Sequence, residues 1–200
     1  MTTPECEIAP HRLRADARRN RDRLIAVARE AFAERGADAS LDDIARRAGV
    51  GPGTLYRHFP TRMALMEAVY RDGVEALCAE AYDRLASPSP GDALAEWLRS
   101  FLAYVATKRG LAKALTAVAG DEKPPFFAAC HDMVGEAGAA LLARAQESGA
   151  IRPDVQVWDL LKLVSGIAMT SEQAPDCALM GDRLLALVMD GVRSQRQPVR

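Results

Sequence analysis

The chain has 200 residues, 49% of them hydrophobic, which is enough for one or two compact domains with a buried core and excludes a disordered chain. Its net charge of −1 is unevenly divided: twelve arginines face seven acids from Arg12 to Arg62, whereas fourteen basic residues face eighteen acids from Met63 onward. Cys6, Cys78, Cys130 and Cys177 form no CxxC pair, the N-terminus MTTPECEIAP holds no apolar signal run, and charges interrupt every apolar stretch short of the ~18 residues a membrane span needs, so a cytoplasmic protein without a membrane partner is expected.

In chain order, RRNRDRLIAVAREAFAER over residues 18–35 sets Leu24, Ala28, Ala31 and Phe32 at helical spacing, and Gly36 follows as a C-cap. Ser40 is the N-cap of a short second helix, LDDIARRA, whose Leu41, Ile44, Ala45 and Ala48 form one apolar stripe and whose Asp42 and Asp43 suit the positive end of a helix dipole. Gly51 takes the next N-cap place and Pro52 the first helical position, where its missing N–H costs nothing, so TLYRHF is the body of a third helix. Thr61 caps a long fourth helix, 61–86, with Leu65, Met66, Val69, Val74, Leu77 and Leu85 on its apolar face. Five further helical segments follow: 92–109, 110–120, 124–149, 155–169 and 178–195. No period-2 run or internal repeat is visible, and the expected fold is all-α with about nine helices.

The frame LDDIARRAGVGPGTLYRHFP reads as a helix-turn-helix. Ala45 is small where two crossing helices approach, Gly49 sits where the turn requires φ > 0, and Ile44, Ala48, Val50 and Leu55 are spaced to share a miniature core with Phe59. Such a unit places its second helix in the major groove, although helix-turn-helix pairs also occur in proteins that never touch DNA. The basic first third agrees with a polyanion partner, or with a solvated charged helix face.

Residues 18–70, from the basic first helix with LIAVAREAFAERG through SLDDIARRAGVGPGTLYRHFPTRMALMEAV, closely resemble the DNA-binding domain of the TetR/AcrR family of bacterial transcriptional regulators. The resemblance implies a helix-turn-helix DNA-binding domain at 12–60 and an effector-binding and dimerisation domain at 61–200. It further implies a homodimer on double-stranded operator DNA, acting as a repressor released from a palindromic site by a small-molecule effector. Thr54, Tyr56 and His58 match positions that contact phosphates or the groove in this family, and Arg57 offers the best fork for guanine O6 and N7. Ser40 and Thr61 match helix starts that bind phosphate, and Arg62 stands where members carry Lys. Gly51 and Gly53, flanking Pro52, leave the start of the third helix bare. Arg18 and Arg19, with Arg21 and Arg23, can follow the backbone or enter the minor groove, or form a solvated tail.

For the C-terminal domain, Cys78, Trp97, Phe101, Tyr104, Phe126, Phe127, Met133 and Trp158 are the bulky or soft residues expected around a ligand pocket; the few polar groups among them point to a largely apolar effector. Leu160, Val164 and Ile167, with Leu184, Leu187 and Val188, form stripes on the last two helices that would pair with their copies in a four-helix dimer interface, or pack within one chain. Adjacent Cys130 and His131 lack spaced partners, so neither a metal nor another cofactor is expected. With only His11, His58 and His131, and no HExxH, GxSxG or phosphate-cradling loop, the chain carries no enzyme signature. The alternative is a helical adaptor, or an enzyme that does not act on DNA.

Overall fold

A computed structural model describes residues 8–119, 125–171 and 177–194. Eight α-helices are present among them: α1 (Ile8–Arg35), α2 (Leu41–Arg47), α3 (Pro52–His58), α4 (Arg62–Arg84), α5 (Pro90–Ala119), α6 (Phe126–Glu147), α7 (Val157–Ser171) and α8 (Cys177–Val192), with a 3-10 turn at Gly36–Asp38. The described residues contain no strand; a single antiparallel bridge joins Ile151 to Arg193.

Two segments run on further than their sequence suggests. α1 starts at Ile8 rather than near residue 18, because IAPHRLRADA places Pro10 in the first turn, where proline is tolerated, and is otherwise rich in helix formers. α5 merges the expected 92–109 and 110–120 helices. One glycine costs a helix only ~1 kcal/mol relative to alanine, and Leu111 and Leu115, both buried, hold the segment beyond Gly110 in place.

The chain packs as two compact units: residues up to Asp72 together with the stretch from Gly110, and residues 73–109 together with those from the start of α6 onward. The expected boundary at residue 60 does not coincide with this division. Leu65, Met66 and Val69 of α4 are all buried in the first unit, so the beginning of α4 belongs with the helices before it.

In the first unit α1 lies against α2 and α3. Its core is built from Leu24, Ile25, Ala28, Ala31 and Phe32 of α1, Ile44 and Ala45 of α2, and Leu55 of α3, each almost fully buried. Charge pairs tie its helices at the rim: Arg47 meets Glu30 at 3.0 Å and Glu34 at 3.5 Å, and Arg29 pairs with Asp72. At such exposure these pairs contribute little stability, about 0–1 kcal/mol, but they occupy arginines.

In the second unit α6 packs on α7, and α7 on α8. By length and composition α6 is the one described helix apolar enough to cross a membrane. Nine of its residues are buried, and two of them lie under indoles: a Cβ on Gly138 would stand 2.8 Å from the Trp97 ring, and one on Gly135 only 2.3 Å from that of Trp158. Beyond α6, Gln146 donates to the carbonyls of Arg152 and Val155 at 2.9 and 3.0 Å, which fixes the turn leading into α7.

Candidate nucleic-acid interface

The turn between α2 and α3 is closed by backbone bonds from Gly49 N to Arg46 O (3.1 Å) and from Val50 N to Ala45 O (3.0 Å). Gly49 adopts φ = +68°, a conformation that a residue with a Cβ reaches only at a cost, as the sequence requires. Gly51 caps α3 in an extended conformation with Pro52 at the first position, and Thr54 N donates to Gly51 O at 2.9 Å. Leu55 and Phe59 point inward and are buried, so they anchor α3 from beneath; Val50 is half-buried.

What remains on the outer side of α3 is a polar row. Tyr56 is 46% exposed, and Arg57 is exposed, as are Gly51, Pro52 and Gly53; Thr54 and His58 are half-buried. A Cβ at Gly51 or Gly53 would meet nothing within 4 Å, so the start of α3 is open to close approach by a partner.

The neighbouring arginines differ in how far they are engaged. Arg19 pairs with Asp16, Arg23 donates to Asn20 at 2.5 Å, Arg46 pairs with Asp43, and Arg21 lies 5.8 Å from the centre of the Phe59 ring. Among the described residues Arg18 and Arg57 have no acidic partner. An exposed guanidinium with an idle fork, on the outward side of a helix whose underside is clamped, is suited to bidentate bonding with phosphate or guanine.

Three other expected contacts have local duties. Ser40 Oγ accepts from Asp43 N at 3.3 Å and Thr61 Oγ1 from Ala64 N at 3.1 Å, so both hydroxyls cap helices while their own protons stay available to a phosphate. Arg62 is half-buried, and its Nη1 donates to the carbonyl of Ala39 at 2.6 Å. No feature of the sequence points to that bond.

In the second unit Cys78, Trp97, Phe101 and Phe126 are buried, whereas Tyr104, Phe127, Met133 and Trp158 are half-buried. Trp97 is fully engaged: its Nε1 donates to Leu77 O at 2.9 Å, its ring stacks on Phe101, and its far edge rests on Gly138. Trp158 is sandwiched between Gly135 and the His131 ring, which lies parallel at 4.0 Å. Phe126 and Phe127 stack at 4.4 Å. Burial raises the Cys78 thiol, and Cys130 adds to the shift, so Cys78 stays protonated at neutral pH and offers no reactive thiolate.

Sequence reasoning missed Gly135 and Gly138, although their spacing of three along α6 marks a small-residue seat. It also missed Lys108, buried in the same unit with its Nζ 5.7 Å from the Tyr104 ring centre. One cleft of about 690 Å³ in this unit is lined by Ser89, Gly91, Asp92, Ser148, Gly149 and Arg193, none of them expected around a ligand. Among the described residues no three His, Cys, Asp or Glu side chains group as a metal site.

The α7 and α8 stripes divide in two. Leu160, Val164 and Ile167 are buried within the unit, Leu184 and Val188 are half-buried, and Leu187 is 63% exposed. Leu160 and Val164 are therefore covered within one chain, and of the three only the edge of Ile167 reaches the outer surface. The outward row on α7 is Asp159, Lys162, Leu163, Gly166 and Thr170, which with the edge of Ile167 lines a shallow groove of about 630 Å³; Leu163 is 51% exposed. A stripe broader than ~100° has two faces, and spacing alone does not say which one a neighbouring helix covers.

Residues 24–69 match the family described as bacterial regulatory proteins, tetR family, and residues 89–194 match the C-terminal domain of SbtR-like transcriptional regulators. The TetR transcriptional regulator SCO0520 from Streptomyces coelicolor is 43% identical, with a TM-score of 0.79 over 88% of this chain and 99% of that one. A TetR transcription regulatory protein from Mycobacterium vanbaalenii is 37% identical, with a TM-score of 0.68 over 90% and 99% of the two chains. The HTH-type transcriptional regulator UidR of Escherichia coli K12 is 29% identical over 147 residues, covering 72% of this chain and 74% of the relative.

Proposed function

Since the chain belongs to the TetR family and is a DNA-binding transcriptional regulator, we propose that it acts as a homodimeric repressor whose α3 reads a palindromic operator and whose second unit binds a small, largely apolar effector. The observation that carries the DNA reading is the outer row of α3, where Arg57 has no acidic partner among the described residues and Gly51 and Gly53 leave room for close approach. In this reading Arg57 bonds a guanine edge, Tyr56, Thr54 and His58 hold phosphates or the groove wall, and Ser40 and Thr61 position the backbone. Arg18 and Arg19 extend the contact along the duplex, the latter by exchanging its exposed pairing with Asp16 for a phosphate.

For the dimer, the outward row through Leu163, Gly166 and Leu187 supplies an apolar surface that a two-fold copy can cover, with Leu184 and Val188 at its margin. For the effector, the half-buried Tyr104, Phe127, Met133 and Trp158 are the aromatic and soft side chains that keep some accessible surface for an apolar ligand, whereas Cys78, Trp97, Phe101 and Phe126 are buried. Release from DNA then requires the ligand to favour one arrangement of α4, which begins in one unit and ends in the other, with a coupling of ~1–3 kcal/mol. The test is selection from randomised duplex DNA by the full-length protein, followed by titration of the selected duplex with apolar candidate ligands. Enrichment of an inverted repeat, released by one of them, supports the reading. Enrichment of no sequence contradicts it.

A further inference from the structure

The bond from Arg62 to Ala39 spans 23 residues of sequence, and those residues are the helix-turn-helix itself. Ala39 is 1% exposed and immediately precedes Ser40, the N-cap whose side chain accepts from Asp43 N and whose carbonyl accepts from Ile44 N at 3.0 Å. Arg62 is the first residue of α4, immediately after the Thr61 cap. The guanidinium thus joins the point where the chain enters the recognition unit to the point where it leaves. A buried carbonyl requires a partner, and a charge-assisted donor at 2.6 Å is a strong one.

We infer that Arg62 is a positioning residue for the recognition unit: by tying Ala39 O to the start of α4 it fixes the orientation of α2 and α3, and it is not one of the groups that neutralises a phosphate. The inference rests on the DNA-binding function and reassigns a residue that position alone would place on the DNA backbone. Ala39 fixes the α2 start, Ser40 and Asp43 propagate it into α2, and Ala45, through Val50 N, carries it to the turn before α3. Loss of the tether therefore alters how well α3 fits a particular sequence and leaves the count of phosphate contacts unchanged.

The experiment compares wild type, R62A and R62K on two duplexes of equal length, one selected by the wild-type protein and one scrambled, over a series of KCl concentrations. Hydrogen exchange at Asp43 and Ile44 is followed in the DNA-free protein. The expected result for R62A is a loss of about tenfold on the selected duplex, none on the scrambled one, an unchanged salt slope on both, and faster exchange at Asp43 and Ile44. R62K, which keeps a charged donor, should recover part of the specific affinity. A salt slope shallower by about one, or an equal loss on both duplexes, overturns the inference and makes Arg62 a phosphate contact. Unchanged affinity with unchanged exchange overturns it as well. If R62A does not fold, R62Q carries the same comparison. If the wild type selects no duplex, it is the DNA reading that fails, and exchange at Asp43 and Ile44 alone then decides whether the tether exists.

Discussion

The two units solve opposite problems with the same helical material. The first clamps α3 from beneath with Leu55 and Phe59 and leaves Tyr56 and Arg57 outside, so its outer surface is polar and its geometry is set by short-range turns. The second seats its two tryptophans on the glycines of α6 and leaves Leu163, Met169, Leu179 and Leu187 exposed, so its outer surface is partly apolar and its core depends on long-range fits. A polar surface over a tight local core suits a partner read by hydrogen bonds; an apolar surface over a packed core suits a partner bound by burial.

The contrast can be broken most forcefully at the two cores. Leu55→Ala empties the clamp under α3 and should destabilise the first unit by about 2–5 kcal/mol, read by chemical denaturation, with DNA affinity falling in parallel. Should affinity fall with stability untouched, Leu55 is a contact residue and the clamp account is wrong. In the second unit, Gly138→Ala forces a Cβ to within 2.8 Å of the rigid, hydrogen-bonded Trp97 ring, and a loss of ~1–3 kcal/mol is expected despite the gain in helix propensity. A more stable G138A protein would show that the indole is not held there.

The surfaces come next. Arg57→Ala should cost about 1–3 kcal/mol of discrimination for the selected duplex while leaving the unfolding midpoint in place, as measured by anisotropy and circular dichroism. Gly110→Ala sharpens the reading of α5 with the opposite sign. The site has nothing within 4 Å of the added Cβ, so the variant should gain ~0.5–1 kcal/mol, and a loss would mean that the helix is strained at that point. The smallest effect belongs to Asp43, whose carboxyl is held below its usual range first by the Arg46 side chain. The folded state favours the carboxylate, so this contribution is present above the ordinary carboxylate range and fades as pH falls through the lowered value. Asp43→Asn should slightly flatten the acid side of the stability profile, and a steeper acid loss in the variant would reverse the assignment.

These two regions also differ in how much their sequence discloses. Gly49, Gly51 and Pro52 act through neighbours a few residues away, and Leu55 is the only aliphatic side chain in TLYRH, so the turn, the cap and the inner face of α3 can all be read from the letters. The seats at Gly135 and Gly138 depend on indoles from other helices, and a glycine carries no mark of what will lie on it. On α7 the sequence reveals an apolar stripe but not that Leu160 and Val164 would be covered within the chain, since that choice is made by packing on α6 and α8. Arg62 illustrates the limit of arguing from position: its charge matches a phosphate contact, yet its Nη1 bonds a backbone carbonyl 23 residues earlier. The expected break at Gly110 failed because buried leucines on the far side outweigh one glycine.

The central claim is that the outer row of α3, through Arg57, reads duplex DNA. Its most direct test is the binding constant of wild type and R57A on the selected and scrambled duplexes across a range of salt. Wild-type binding is expected to fall steeply with salt and to prefer the selected duplex, and R57A to lose most of that preference. Salt-independent binding, or an R57A protein that discriminates as well as the wild type, would contradict it.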